Sequence, residues 1–149
     1  LQMRPDQPEE SRAVEWVAYA SNAFNTMVPF YANVERTPEY LANTTGTVST
    51  DNFYWTSRLI AAMADASYNK SLFHLERYEE AVLSAGRALV NQYDAKLAAE
   101  PDAARRAALR EEANTAIAAM LQEKAADTLD KVLFELSSQM KNAYSRSDA

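Results

Sequence analysis

SLFHLERYEEAVLSAGRALVNQYDAKLAA, residues 71–99, carries Leu75, Tyr78, Val82, Ala85, Leu89, Tyr93 and Leu97 at steps of three and four. That spacing follows the helical repeat and predicts one amphipathic helix, opened by Asn69 or Ser71 and ended near Ala99. Gly86 lies inside it, where glycine costs roughly 1 kcal/mol relative to alanine, so a close helix contact is expected there. Glu100-Pro101 then interrupts the pattern. Pro101 is expected in the first turn of the next helix, where its missing N–H costs nothing. In that helix Leu109, Ala113, Ile117, Met120, Leu121, Leu129, Val132, Leu133, Leu136 and Met140 form the apolar side. Unbroken to about Asn142 it would be roughly 60 Å long, more than its predecessor. A break near Ala125–Thr128, or a further packing partner, is therefore expected. The two helices read as a long hairpin.

Upstream, a shorter helix is expected to begin near Asn52, capped by Thr50 or Asp51, with Phe53, Leu59, Ile60 and Met63 inward. Residues 33–50 hold Thr37-Pro38 and Asn43-Thr44-Thr45-Gly46, which is turn and loop chemistry. Before them, Val14-Glu15-Trp16-Val17-Ala18-Tyr19 and Met27-Val28-Pro29-Phe30-Tyr31 are aromatic and β-branched, as strands are. An antiparallel hairpin joined through residues 21–26 follows from these two runs. Pro29 places its strand at an edge or a bulge, because it cannot donate to a ladder. A first strand is expected over residues 1–4. Neither run alternates cleanly between apolar and polar, which points to burial on both faces. The expected class is α+β, mostly helical: a short antiparallel β-hairpin near the N-terminus followed by three helices. Residues 1–50 form the hairpin and loop segment and residues 51–149 the helical layer, within one domain.

Composition removes several functions. The 149 residues are 48% hydrophobic and 24% charged, enough for a real core. No apolar run approaches the roughly 18 residues that cross a bilayer, so no membrane partner is expected. A net charge of −6 repels phosphate backbones, so nucleic acid is not an expected partner either. With only two glycines, a fold of many tight hairpins lacks its positive-φ positions. The opening LQMRPDQP has neither an apolar signal region nor an initiator methionine, and reads as a piece of something longer.

Cysteine is absent, which removes disulfides, thiolate metal sites and a cysteine nucleophile from these residues. The one histidine, His74, has no spacing partner and reads as structural or surface. No HExxH or acidic loop of ligand spacing occurs, so neither a metal nor a cofactor is expected. Glu76, Glu79, Glu80, Glu111 and Glu112 alternate with Arg77, Arg105, Arg106 and Arg110, as on a solvated, salt-bridged face. Trp16, Trp55, Tyr19, Tyr31, Phe24 and Phe30 read as core rather than as a pocket. Asn22 and Asn25 fall in the hairpin connection, where an amide either satisfies loop backbone or turns toward a substrate.

The block AVEWVAYASNAFNTMVPFYANV, residues 13–34, resembles the hairpin of the bacterial dipeptidase A family, cysteine-type N-terminal-nucleophile hydrolases. There a W-V-[A/G] strand precedes V-P-F-Y. LQMRPDQP resembles the strand leading into it. STDNFYWTSRLIAAMADASY, residues 49–68, is similar to the family's W-x-x-R-L helix. The resemblance covers residues 1 to about 80.

It implies a parent enzyme with a four-layer αββα fold, in which an N-terminal cysteine attacks the dipeptide carbonyl with its own α-amine as base. Preorganised amides would stabilise the oxyanion. Residue one here is Leu, so this chain is expected to be a C-terminal portion of that dipeptidase, inactive alone, with no catalytic residue of its own. The resemblance makes Arg4 a candidate substrate-binding residue, by comparison with a strand arginine near the nucleophile of related hydrolases. Asn22 is the second candidate, and Arg58 is expected to tie helix to loop. The expected partners are a dipeptide, through the parent enzyme, and either the missing N-terminal part or further copies of the chain. The expected location is cytoplasmic, with secretion or a cell-surface position left open. The alternative is a non-enzymatic helical protein-interaction module docking through the hairpin.

Overall fold

The computed structural model describes residues 1–19, 24–42 and 44–141. Three strands, β1 (Gln2–Met3), β2 (Ala13–Val17) and β3 (Val28–Tyr31), form one antiparallel sheet in the order β1-β2-β3. A one-turn helix α1 (Glu39–Ala42) follows, then α2 (Phe53–Ala66), α3 (Tyr68–Ala99) and α4 (Ala103–Ser138). The expected class holds, with β1 where a first strand was anticipated. The helix α1 is an addition in residues read as turns: the carbonyl of Pro38 accepts from both Leu41 and Ala42, closing a single turn.

Local chemistry moves several boundaries. Asn52, not Thr50 or Asp51, caps α2, because its Oδ1 accepts the Trp55 N–H at 2.9 Å. Asp51 is instead held in a turn with Ser49. Helices α2 and α3 meet at the single residue Ser67, so the second helix begins before Asn69 and Ser71. Its hydroxyl bonds the Met63 carbonyl at 2.8 Å and Ser71 Oγ at 2.7 Å. Asp102 caps α4 by accepting the Arg105 N–H at 2.7 Å. Pro101 therefore stands just outside that helix rather than in its first turn.

No break occurs at Ala125–Thr128, and α4 runs uninterrupted over 36 residues. The alternative expectation, an additional partner, accounts for it: α4 packs on α3, on α2 and on β3. The inward side of α3 also shifts from expectation. Gly86 and Val90 are buried where Ala85 and Leu89 are only half-buried. The apolar stripe ends at Leu133 and Met140, which are exposed along with Phe134.

Residues two apart on a strand share a face, and so do residues paired across strands. Gln2, Val14 and Tyr31 are in register on one face, joined by Trp16 opposite Pro29. This face meets α3. A Cβ on Gly86 would lie 2.7 Å from Pro29 Cδ. Even an alanine methyl there would force strand and helix apart, which explains the glycine, and the nearest neighbour is a strand rather than the helix expected. The other face carries Met3 beside Ala13, Glu15 beside Phe30, and Val17 beside Val28. At β3 it is closed, since Val28 and Phe30 are buried. At β1 and β2 it is open: Met3 is 58% exposed and Glu15 is exposed. Burial on both faces thus holds for β3 and not for β2.

The free edge of β3 is closed by a side chain. Asn114 of α4 is buried, accepts the Tyr31 N–H at 2.8 Å and donates to the Tyr31 carbonyl at 3.0 Å. Its carboxamide takes the place of a fourth strand's backbone at that position.

Candidate functional site

Arg4 follows β1 and continues its ladder, its N–H donating to the Arg12 carbonyl at 3.0 Å. Strand alternation turns its side chain to the α3 face. There Nη1 meets Asp94 Oδ2 at 2.6 Å, Nη2 donates to the Ser11 carbonyl at 2.5 Å, and Nε to the Arg12 carbonyl at 3.5 Å. The Tyr31 hydroxyl lies 2.7 Å from the other Asp94 oxygen and 3.1 Å from the Val90 carbonyl. The Arg4 guanidinium carbon is 5.5 Å from the centre of the Tyr31 ring. Both ion-pair side chains are nearly enclosed, at 12% and 14% exposure. This is a charge-balanced clamp joining β1, β3 and α3. It holds the start of the sheet on the helical layer, with three of arginine's five N–H donors committed.

Burial raises the Tyr31 hydroxyl well above the usual tyrosine value, and its bond to Asp94 adds to the shift. Burial does the same for Tyr78, deep in the helical hairpin, and for Tyr40. All three keep their protons in the fold at a pH where the unfolded chain releases them. Their contribution is therefore present below about pH 10 and lost as pH rises beyond it. The expected result is cooperative alkaline unfolding above about pH 10, seen by circular dichroism together with tyrosinate absorbance. Y31F and Y78F should each flatten that limb, and an unchanged profile in both would refute the assignment.

The opposite sheet face forms a shallow cavity of about 300 Å³ bordered by Glu15, Val17, Tyr19, Phe30 and Arg36. Burial, then Glu15, raises the Tyr19 hydroxyl. Glu111 fixes the wall of this cavity, its Oε1 accepting the backbone N–H groups of Glu35 at 2.6 Å and Arg36 at 3.3 Å.

Arg4 lies on the helix side of the sheet, and Asn22 lies outside the described residues. Asn25 donates to the Tyr19 carbonyl and accepts the Thr26 N–H at 2.8 Å, which satisfies loop backbone. Arg58 does not tie helix to loop. That bond belongs to Trp55, whose indole donates to the Thr45 carbonyl at 2.7 Å, while Arg58 stays on Tyr54 and Trp55 of its own helix. His74 pairs with Glu135 across the hairpin at 3.3 Å, a structural place. Arg110 departs from the solvated face expected for it: it is 6% exposed, with Nε donating to the Asn33 carbonyl at 3.0 Å. Within the aromatic set Tyr31 and Phe30 are buried core residues that also wall the open-face cavity with Tyr19, and Trp16 borders the cavity on the α3 side.

Two important residues were passed over in the sequence, Asp94 and Asn114. Asn114 does carry a signal, standing three before Ile117 and seven before Leu121 on the buried stripe. Among the described residues, no three His, Cys, Asp or Glu side chains gather as a metal would require. No helix there is long and apolar enough to cross a membrane.

The sequence profile of Peptidase family C69 matches residues 1–81, which include the whole sheet, Arg4 and Tyr31 of the clamp, and α2, but not Asp94. The chain belongs to that family. Among curated relatives, a probable dipeptidase A of Streptococcus pyogenes (strain MGAS8232) is 43% identical over 148 residues, covering 99% of this chain and 30% of that protein. A dipeptidase of Bifidobacterium longum (strain NCC 2705) is 36% identical, covering 99% of this chain and 35% of the relative. Dipeptidase A of Lactobacillus helveticus is 41% identical over 68 residues, 46% of this chain. The chain thus spans about a third of the first two relatives. Likeness to the bacterial dipeptidase A family extends past residue 80 into both long helices.

Proposed function

We propose that this chain is a structural third of a cysteine-type dipeptidase, supplying sheet strands and their helical cover while the nucleophile lies in other polypeptide. The observation that carries this reading is 43% identity to a probable dipeptidase A across 99% of the chain, in a sequence without cysteine. An N-terminal-nucleophile mechanism needs Cys, Ser or Thr as first residue, because the α-amine is the base. No cysteine is present among these 149 residues to serve as one.

The sheet geometry supports the same reading. One face carries α3 over β3, with a cavity beside Trp16 toward β1, while Met3, Ala13, Glu15 and Val17 leave the other open along β1 and β2. In a four-layer sandwich the helix-covered face is the outer one and the open face lies against the second sheet, where a dipeptide would be held. Arg4 then supports the sheet from behind, and substrate contact falls to the open face and to Asn22. The family match favours this hydrolase over a free-standing interaction module.

The test is an assay on dipeptides of the 149-residue chain and of the full-length enzyme containing it. The chain alone should show no turnover. The full enzyme should cleave dipeptides and lose at least about 100-fold activity after thiol alkylation, since a covalent nucleophile carries several kcal/mol of the barrier. Turnover by the chain alone, or full activity after alkylation, would overturn the reading. Alone, the chain should also self-associate through Leu1, Met3, Met27 and the Leu133–Phe134 end, because each exposed large side chain forgoes roughly 1.5–3 kcal/mol of burial. Sedimentation giving a clean monomer at tens of micromolar would remove that expectation.

A further inference from the structure

We propose that the cavity between the sheet and α3 binds a small monocarboxylate with an apolar body, a site separate from the open face assigned to dipeptide cleavage. The cavity holds about 460 Å³ and lies on the Arg4 side of the sheet. Binding sites for small molecules are commonly of this size, apolar with a few placed polar groups. Here Val14, Pro29 and Val90 form the apolar floor, and Trp16 and Arg87 stand over it.

The charge at this place is unbalanced. Arg4, the other cation of the lining, is compensated by Asp94 at 2.6 Å. Arg87 takes part in none of the ion pairs found among the described residues. Glu76, Glu79 and Glu80 share an outer depression of α3 with it, yet none comes within ion-pair distance. Its guanidinium carbon is instead 5.9 Å from the Trp16 ring centre.

Trp16 is held in turn. Its indole N–H donates to Gln2 Oε1 at 2.9 Å, which fixes the ring plane as a wall. The arrangement is an aromatic and aliphatic slot with, at its mouth, one guanidinium that makes no ion pair among the described residues. A planar fork of N–H donors is matched by a carboxylate, which it can bind through two parallel hydrogen bonds. The slot accepts an aliphatic chain of a few carbons beneath that carboxylate. Apolar amino acids, which a dipeptidase would release, and short fatty acids share this chemistry.

The test follows the Trp16 indole N–H resonance of the 149-residue chain by NMR during titration. The probes are 4-methylpentanoate, its neutral amide 4-methylpentanamide, and L-leucine, which has the same carbon skeleton plus an α-amine. The carboxylate should shift Trp16 and bind at least tenfold more tightly than the amide. R87Q should lose at least tenfold and R87K should keep part of the affinity, while K70Q, altering an exposed lysine in the first turn of α3, should bind normally. L-Leucine binding as well as 4-methylpentanoate supports a site for released amino acid, and weaker binding supports one for a plain carboxylate. Equal binding of acid and amide, an R87Q variant that binds normally, or no shift at about 10 mM would overturn the proposal. Arg87 is exposed, so circular dichroism of R87Q should match the parent and separate lost binding from lost folding. Cleavage by the full-length enzyme is not needed for any of these readings.

Discussion

Replacing Asn114 by leucine should destabilise the chain by about 2–5 kcal/mol, measured as a fall in urea midpoint at unchanged slope. The size follows from what the carboxamide does. It serves the N–H and the carbonyl of Tyr31 together, at 2.8 and 3.0 Å, in a place closed to solvent. Leucine has similar bulk but neither donor nor acceptor. Two backbone groups would lose their partner without regaining water, at about 1–3 kcal/mol each. Such a loss is a large share of the roughly 5–15 kcal/mol by which domains are stable. N114D is the sharper variant. Its carboxylate still accepts the N–H but faces the Tyr31 carbonyl without a proton to donate, so it should be no better than leucine at neutral pH. A loss below about 1 kcal/mol in both would mean that the β3 edge does not depend on this residue.

The second large effect is expected at Asp94. D94A removes the counter-charge of a nearly enclosed arginine and the acceptor of the Tyr31 hydroxyl in one step. Breaking an enclosed pair from one side costs about 3–5 kcal/mol, mostly through the charge left behind. The slight exposure of both side chains lets water relieve part of this, so about 2–4 kcal/mol is expected here. Removing both partners should cost less than removing one. R4M combined with D94L should recover at least half the loss, because an apolar pair leaves no charge unmet. If the double variant proves as unstable as the sum of the singles, Arg4 and Asp94 act independently and the clamp is not the unit described above.

These two residues show where the sequence could be read and where it could not. The helical hairpin was legible because a helix buries one side in steps of three and four, whatever it packs against. Gly86 was legible as a point of close approach, since a glycine inside such a helix is otherwise a loss, but the neighbour expected was a helix and the one found is β3. What it approaches was not legible, because Pro29 lies far away along the chain and only the packed sheet brings it to 2.7 Å from the Cβ position. Caps were legible only to within a residue or two. Thr50, Asp51 and Asn52 can all cap, and the choice depends on which oxygen reaches Trp55. Arg110 was misplaced on a solvated face because charge alone does not reveal that the Asn33 carbonyl folds over it.

By itself, the sequence determined the long helices, the strand-forming N-terminal third, the absence of a cysteine nucleophile and membership of a dipeptidase family, since each is written in neighbouring residues or recognisable blocks. Only the tertiary structure decided that β3 is covered on both faces, that Asn114 ends the sheet at Tyr31, that Arg4 faces α3 and Asp94, and that Arg87 stands beside Trp16. The physical reason is distance along the chain. Periodicity says which side of an element turns inward. Partners such as Tyr31 with Asn114, or Arg4 with Asp94, are separated by 83 and 90 positions and meet only when every intervening element has taken its place.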